Sequence, residues 1–222
     1  MRLILVRHGA VQIERPGTFY GGSEVPLSEL GREEARRAAD ALRTLHLDHV
    51  VCSPLSRAHF GAQQISAGRG LADAPEIVPG LREIDRGRWL GLTAEEIDAR
   101  WPQDRPSHQT DPVGWRGHSG ESLADLRDRV LGSRDQLVPR WTGGTVALVA
   151  HLYPIRALLS ETLGRGLSDW EQLRVPTGSI SVLTQTSLGW VVEALGWKPE
   201  PSGEVMPGLS TGFSTGLSTR GR

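Results

Sequence analysis

The sequence predicts an α/β fold, a mostly parallel sheet with helices on both of its faces. Three observations lead there. Aliphatic runs at residues 2–6, 50–52 and 145–150 are continuous, as strands covered on both faces are. Segments with helical apolar spacing separate these runs, and such alternation favours parallel pairing through helical crossovers. The 222 residues suffice for one domain with a substantial core.

The elements follow in order. Ser28 is placed to cap a first helix whose apolar side carries Ala35, Ala38, Leu42 and Leu45. After the second strand, Ser53-Pro54 reads as an N-cap followed by a proline at the first helical position. A loop rich in glycine and proline spans residues 68–91. Thr93 and Glu96 make a capping box for a short helix ending near Trp101-Pro102. Residues 103–120, with Pro106 and Pro112, read as a surface loop of the kind that covers a site. Ser122 can cap a longer helix, with Leu123, Leu126, Val130, Leu137 and Trp141 on its apolar side. The third strand, residues 145–150, follows Gly143-Gly144. Residues 154–163 suit a helix that Gly164 terminates, and 179–183 and 190–195 read as two late strands. The domain is expected to span residues 1–198. From 199 to 222 the chain changes character: Gly208-Leu209-Ser210-Thr211 recurs as Gly212-Phe213-Ser214-Thr215 and Gly216-Leu217-Ser218-Thr219. Such small, polar repeats bury too little to fold alone, so a disordered tail is expected.

Composition removes several function classes. A formal net charge of -1 gives no general attraction to nucleic acid or anionic membrane. No apolar run approaches the roughly 20 residues of a membrane span. Cys52 is the single cysteine, which excludes an intrachain disulfide and fits a reducing cytoplasm. His46, His49, His59, His108 and His118 lack ligand spacing and read as surface or loop residues. No His-Glu-x-x-His or paired Cys-x-x-Cys occurs, so neither a metal nor another cofactor is expected. No Gly-x-Gly-x-x-Gly follows the first strand, which argues against a dinucleotide module. Nothing in the sequence fixes an oligomeric state.

The chemistry lies where strands end. The first runs into Arg7-His8-Gly9, the second into Ser53-Pro54 and then Arg57, the third into His151. Ligands of open α/β sheets sit beyond the carboxyl ends of strands. Two arginines and two histidines there form an anion trap. Planar, always-charged forks at Arg7 and Arg57 suit phosphoryl oxygens. A neutral histidine is a competent nucleophile, and an unperturbed imidazole titrates near pH 6.5. A leaving alkoxide needs a proton, and Glu83 is the best-placed donor. Tyr20, Trp89, Trp101 and Trp115 flank these segments, either as pocket walls or as loop anchors. Arg82, Arg86 and Arg88 are read mainly as solvated surface charge, with a second acidic group of a substrate as the other reading.

Leu5-Val6-Arg7-His8-Gly9 resembles the signature of the histidine phosphatase (phosphoglycerate mutase-like) superfamily. The resemblance continues in family order through Val25-Pro26-Leu27-Ser28-Glu29-Leu30-Gly31, Ser53-Pro54-Leu55-Ser56-Arg57-Ala58, Leu81-Arg82-Glu83, Trp89-Leu90-Gly91-Leu92-Thr93, Gly120-Glu121-Ser122 and the strand into His151. It implies a three-layer sandwich and a metal-independent hydrolase of small phosphate esters. His8 would be the phosphorylated nucleophile, Arg7, Arg57 and His151 the phosphate clamp, and Glu83 the acid that later helps activate water. The alternatives are a phosphoglycerate mutase and an inactive phosphate-ester-binding protein. Gly17-Thr18-Phe19-Tyr20-Gly21-Gly22 before Val25-Pro26-Leu27 resembles the α-ribazole phosphatase subgroup. Leu152-Tyr153 departs from the usual pair of glycines after the second histidine, placing side chains where backbone normally approaches phosphate.

Overall fold

The computed structural model describes residues 1–67, 74–201 and 203–207. Its centre is a six-stranded sheet in the order β3-β2-β4-β1-β5-β6. The strands are β1 (Arg2–Arg7), β2 (His49–Cys52), β3 (Glu76–Ile77), β4 (Thr145–Ala150), β5 (Ile180–Thr186) and β6 (Gly189–Trp197). The first four run parallel, and β5 and β6 add an antiparallel edge.

Strand alternation divides the aliphatic runs between two cores. Leu3, Leu5, Val51, Val146 and Leu148 pack on one face with helices α5 (Leu123–Leu137) and α6 (Leu152–Thr162). Ile4, Val6, Val50, Cys52, Ala147 and Val149 face the other way, onto α1 (Glu29–Ala41) and α2 (Ser56–Ala67). Continuous hydrophobicity in sequence is thus period-two burial on two faces, and each fully buried aliphatic side chain contributes about 1.5–3 kcal/mol.

Register sets the site. β1 and β4 pair with Arg7 opposite Ala150, and β2 pairs with β4 with Cys52 opposite Val149. The residues that follow, His8, His151 and Ser53, therefore leave the sheet side by side.

The caps at Ser28, Thr93 and Ser122 form as expected, the last two as reciprocal capping boxes. Ser53 does not cap a helix. Helix α2 begins at Ser56, and the Ser53 hydroxyl instead meets His151. Residues 103–120 are not a plain surface loop: they contain α4 (Asp104–Thr110), which follows α3 (Ala94–Arg100). Pro106 is tolerated because it lies in the first turn of α4, where no intrahelical N–H is required. Asp104, at the start of α4, is buried and accepts from Arg88 and from Trp89 Nε1. Trp89, Leu92 and Ile97 form a small satellite core, with Phe19, Trp101 and Trp115 packed against it.

The packing of the domain runs past residue 198. Met206 is buried among the α1 and α2 side chains, and its N–H donates to the Ala41 carbonyl. Lys198 pairs with Glu34 at 2.6 Å. The three tetrapeptide copies expected to be disordered lie outside the described residues.

Candidate active site

His8 is 2% exposed, and its Nδ1 lies 2.6 Å from the Gly9 carbonyl. A carbonyl has no proton to give, so Nδ1 carries the hydrogen and Nε2 keeps the lone pair. Burial first, then the charges of Arg57 and Arg7, push the His8 pKa down to about 3. The ring is neutral at pH 7, with its free nitrogen available. Its loop is set by close backbone approach: a Cβ on Gly9 would stand 2.0 Å from the Gly31 carbonyl oxygen. Gly9 is thus required for packing on the start of α1, since its φ is not among the positive ones. Glu34 ties the loop down, accepting from the Ala10 N–H at 2.7 Å, from the Thr177 hydroxyl and from Lys198.

The other sequence-derived residues gather around this ring. The His8 and His151 ring centroids are 4.9 Å apart. His151 Nε2 lies 2.7 Å from Ser53 Oγ, and burial followed by the charges of His8, Arg57 and Arg7 holds its pKa well below the usual range. Arg7 donates from Nη1 to the Val175 carbonyl at 2.6 Å. Arg57 donates to the carbonyls of Ser23 and Gly21 at 2.6 and 2.8 Å. Glu83 is 8% exposed, and its Oε1 accepts from the Ile84 N–H at 2.9 Å. Burial raises the Glu83 pKa, although that hydrogen bond and Arg7, Arg57 and Arg86 oppose the rise.

Arg7 Nε, Arg57 Nε and His151 Nδ1 are buried, and among the described residues each lacks a hydrogen-bond partner. Buried polar atoms are normally satisfied, and three in one constellation form a cradle with unused capacity. A cavity of 180 Å³ adjoins it at Arg7 and Glu83, and is walled by Phe19, Tyr20, Arg86, Leu152 and Tyr153. Such a site can grip an anion with several oxygens, present a nitrogen lone pair to its central atom, and deliver a proton from a carboxyl group.

A family model for histidine phosphatase superfamily branch 1 matches residues 3–198. The chain belongs to that superfamily. Phosphoserine phosphatase 1 of Hydrogenobacter thermophilus is 33% identical over 185 residues, which cover 82% of this chain and 86% of that one. Among solved structures, mycobacterial glucosyl-3-phosphoglycerate phosphatase Rv2419c complexed with VO3 is 30% identical. Its TM-score is 0.76, over 89% of this chain and 99% of that one. A putative α-ribazole-5'-P phosphatase from Escherichia coli shares the fold at TM-score 0.78 and 24% identity, over 88% of this chain and 96% of that one.

Within the histidine phosphatase fold the flanking aromatics divide. Tyr20 lines the cavity, whereas Trp89, Trp101 and Trp115 anchor loops in the satellite core. His118 is buried at 1% exposure, so it is not a surface histidine; its Nδ1 accepts from the Gly120 N–H, and its ring packs edge-on against Trp89. Leu152 and Tyr153, in the first turn of α6, become cavity wall. Sequence reasoning missed Phe19 as a wall residue and Glu34 and Ser53 as positioning groups, whereas it had already placed the Leu152 and Tyr153 side chains beside the phosphate position. Tyr153 carried a readable signal, two residues beyond a strand-end histidine. Glu34 carried none, since its partners lie 24 to 164 residues away in sequence.

Proposed function

We propose that this chain is a metal-independent phosphomonoester hydrolase of a small phosphorylated metabolite, working through a phosphohistidine at His8. The three unsatisfied buried atoms around a neutral imidazole carry the reading, because a phosphoryl group has the oxygens to satisfy all of them.

The mechanism follows from the residues. The N–H groups of Arg7 and Arg57 hold phosphoryl oxygens, and donation from Ser53 Oγ to His151 Nε2 leaves a His151 Nδ1–H for another. His8 Nε2 attacks phosphorus while its Nδ1–H stays on the Gly9 carbonyl, which keeps the lone pair aimed. Positive charge that grows on the ring in the adduct is shared with that carbonyl. The P–O bond to the leaving group breaks as Glu83 donates its proton to the departing oxygen. The carboxylate then takes a proton from water as water attacks the phosphohistidine, which returns Glu83 to its acid form. Fixed cations around a transition state whose charge lies on oxygens do most of the stabilisation. Activity in the cytoplasm is part of the same proposal and rests on composition; among the described residues no helix is long and apolar enough to cross a membrane.

The test is a panel of phosphate esters with wild-type protein and His8→Ala. Wild type should release inorganic phosphate without bisphosphoglycerate priming, and rapid quench should trap an acid-labile, base-stable phosphoprotein. His8→Ala should show neither. Full turnover in His8→Ala ends the phosphohistidine reading. Isomerisation that depends on priming, without phosphate release, would instead make the chain a mutase.

A further inference from the structure

The three arginines after Leu81 have different fates. Arg82 donates from Nε and Nη2 to the Gly22 carbonyl, at 3.2 and 2.6 Å. Arg88 pairs with Asp104 at 2.7 Å and lies over the Trp101 ring at 4.4 Å. Both are occupied by the fold.

Arg86 is 6% exposed, yet among the described residues no carboxylate lies within ion-pair distance and no hydrogen bond ties its guanidinium to the protein. Its guanidinium carbon sits 4.9 Å from the Tyr153 ring centroid and 5.9 Å from that of Phe19. All three residues line the cavity that Arg7 and Glu83 also line. Burying a guanidinium without an ion-pair partner is unfavourable, and contacts with two ring faces offset only part of that. Such a group is a fork held ready.

Charge balance gives its partner. A phosphoryl dianion neutralises Arg7 and Arg57, and Glu83 is uncharged when it is the proton donor. Among the charged groups that line the cavity, that leaves the positive charge of Arg86. We infer that Arg86 binds a carboxylate on the leaving group, so that the preferred substrates are phosphate esters of small hydroxy acids. The planar fork matches a carboxylate's two oxygens.

This assignment rests on the phosphatase reading, and the experiment keeps the two apart. The probes are 3-phosphoglycerate and glycerol 3-phosphate, which differ by a carboxylate in place of a hydroxymethyl group. In wild type the ratio of their kcat/KM values should favour the acid by about 10- to 100-fold, the usual weight of a charged hydrogen bond. Arg86→Met should bring that ratio toward one, and Arg86→Lys should restore part of it. A general packing defect lowers both rates and leaves the ratio in place. If both esters turn over and Arg86→Met keeps the wild-type ratio, the assignment is overturned while the phosphatase reading stands. If neither ester is hydrolysed, calorimetry on the His8→Ala protein decides Arg86 by itself. Tighter binding of the acid that Arg86→Met removes supports the assignment, and equal affinities overturn it.

Discussion

Replacing Glu83 with glutamine exchanges one carboxylate oxygen for an amide nitrogen, and the structure ties two separate outcomes to that change. The acceptor that holds the Ile84 N–H at 2.9 Å survives as the amide oxygen, so the loop keeps its shape. The proton donor is lost. For an alkyl phosphate with a poor leaving group, kcat should fall by about 10²–10⁴-fold, the usual span of general acid catalysis. For p-nitrophenyl phosphate the loss should be much smaller, because that phenolate departs with little protonation. Stability should move the other way. Burial raises the folded-state pKa of Glu83 above 4.5, so between 4.5 and the folded value the native state binds more protons than the unfolded one. Stability from this group is therefore complete below pH 4.5 and declines as pH rises through the folded value, by at most about 1.4 kcal/mol per pH unit. Glu83→Gln lacks that slope. Urea unfolding at pH 5 and pH 8 should show the variant gaining on wild type at the higher pH. Equal losses for the two esters would refute the proton-donor role. A stability difference independent of pH would refute the argument from burial.

Two further outcomes are expected. Activity should persist in excess chelator, because the proposed clamp is made of arginine and histidine; loss on chelation that one divalent ion restores would overturn this. Removing every residue after Trp197 should destabilise the domain by several kcal/mol, since it takes away the buried Met206 and the Lys198–Glu34 pair. Truncation after Pro207 keeps both, so thermal melts of the two truncations should differ clearly; identical melting temperatures would show that Met206 contributes nothing.

The sequence by itself determined the fold class, the three central strands and the strand-end positions of Arg7, His8 and His151. The reason is local. A strand buried on both faces must be aliphatic throughout, and a residue just past its end needs no distant partner to be placed at the sheet edge. Helix caps were legible for the same reason, since Ser28, Thr93 and Ser122 each act on N–H groups within three residues.

Only the tertiary structure decided what depends on approach between remote segments. Ser53 read as a helix cap because serine before proline suits one; parallel pairing of β2 with β4 puts it against His151 instead. Gly9 is needed because the backbone at Gly31 passes through the space its Cβ would fill. Arg82, Arg86 and Arg88 are identical in type and nearly adjacent in sequence. Gly22, in a loop, and Asp104, at the start of α4, occupy two of them and leave the third facing the cavity. A guanidinium's role is set by which counter-charge reaches it, and that is a property of the folded chain's long-range contacts.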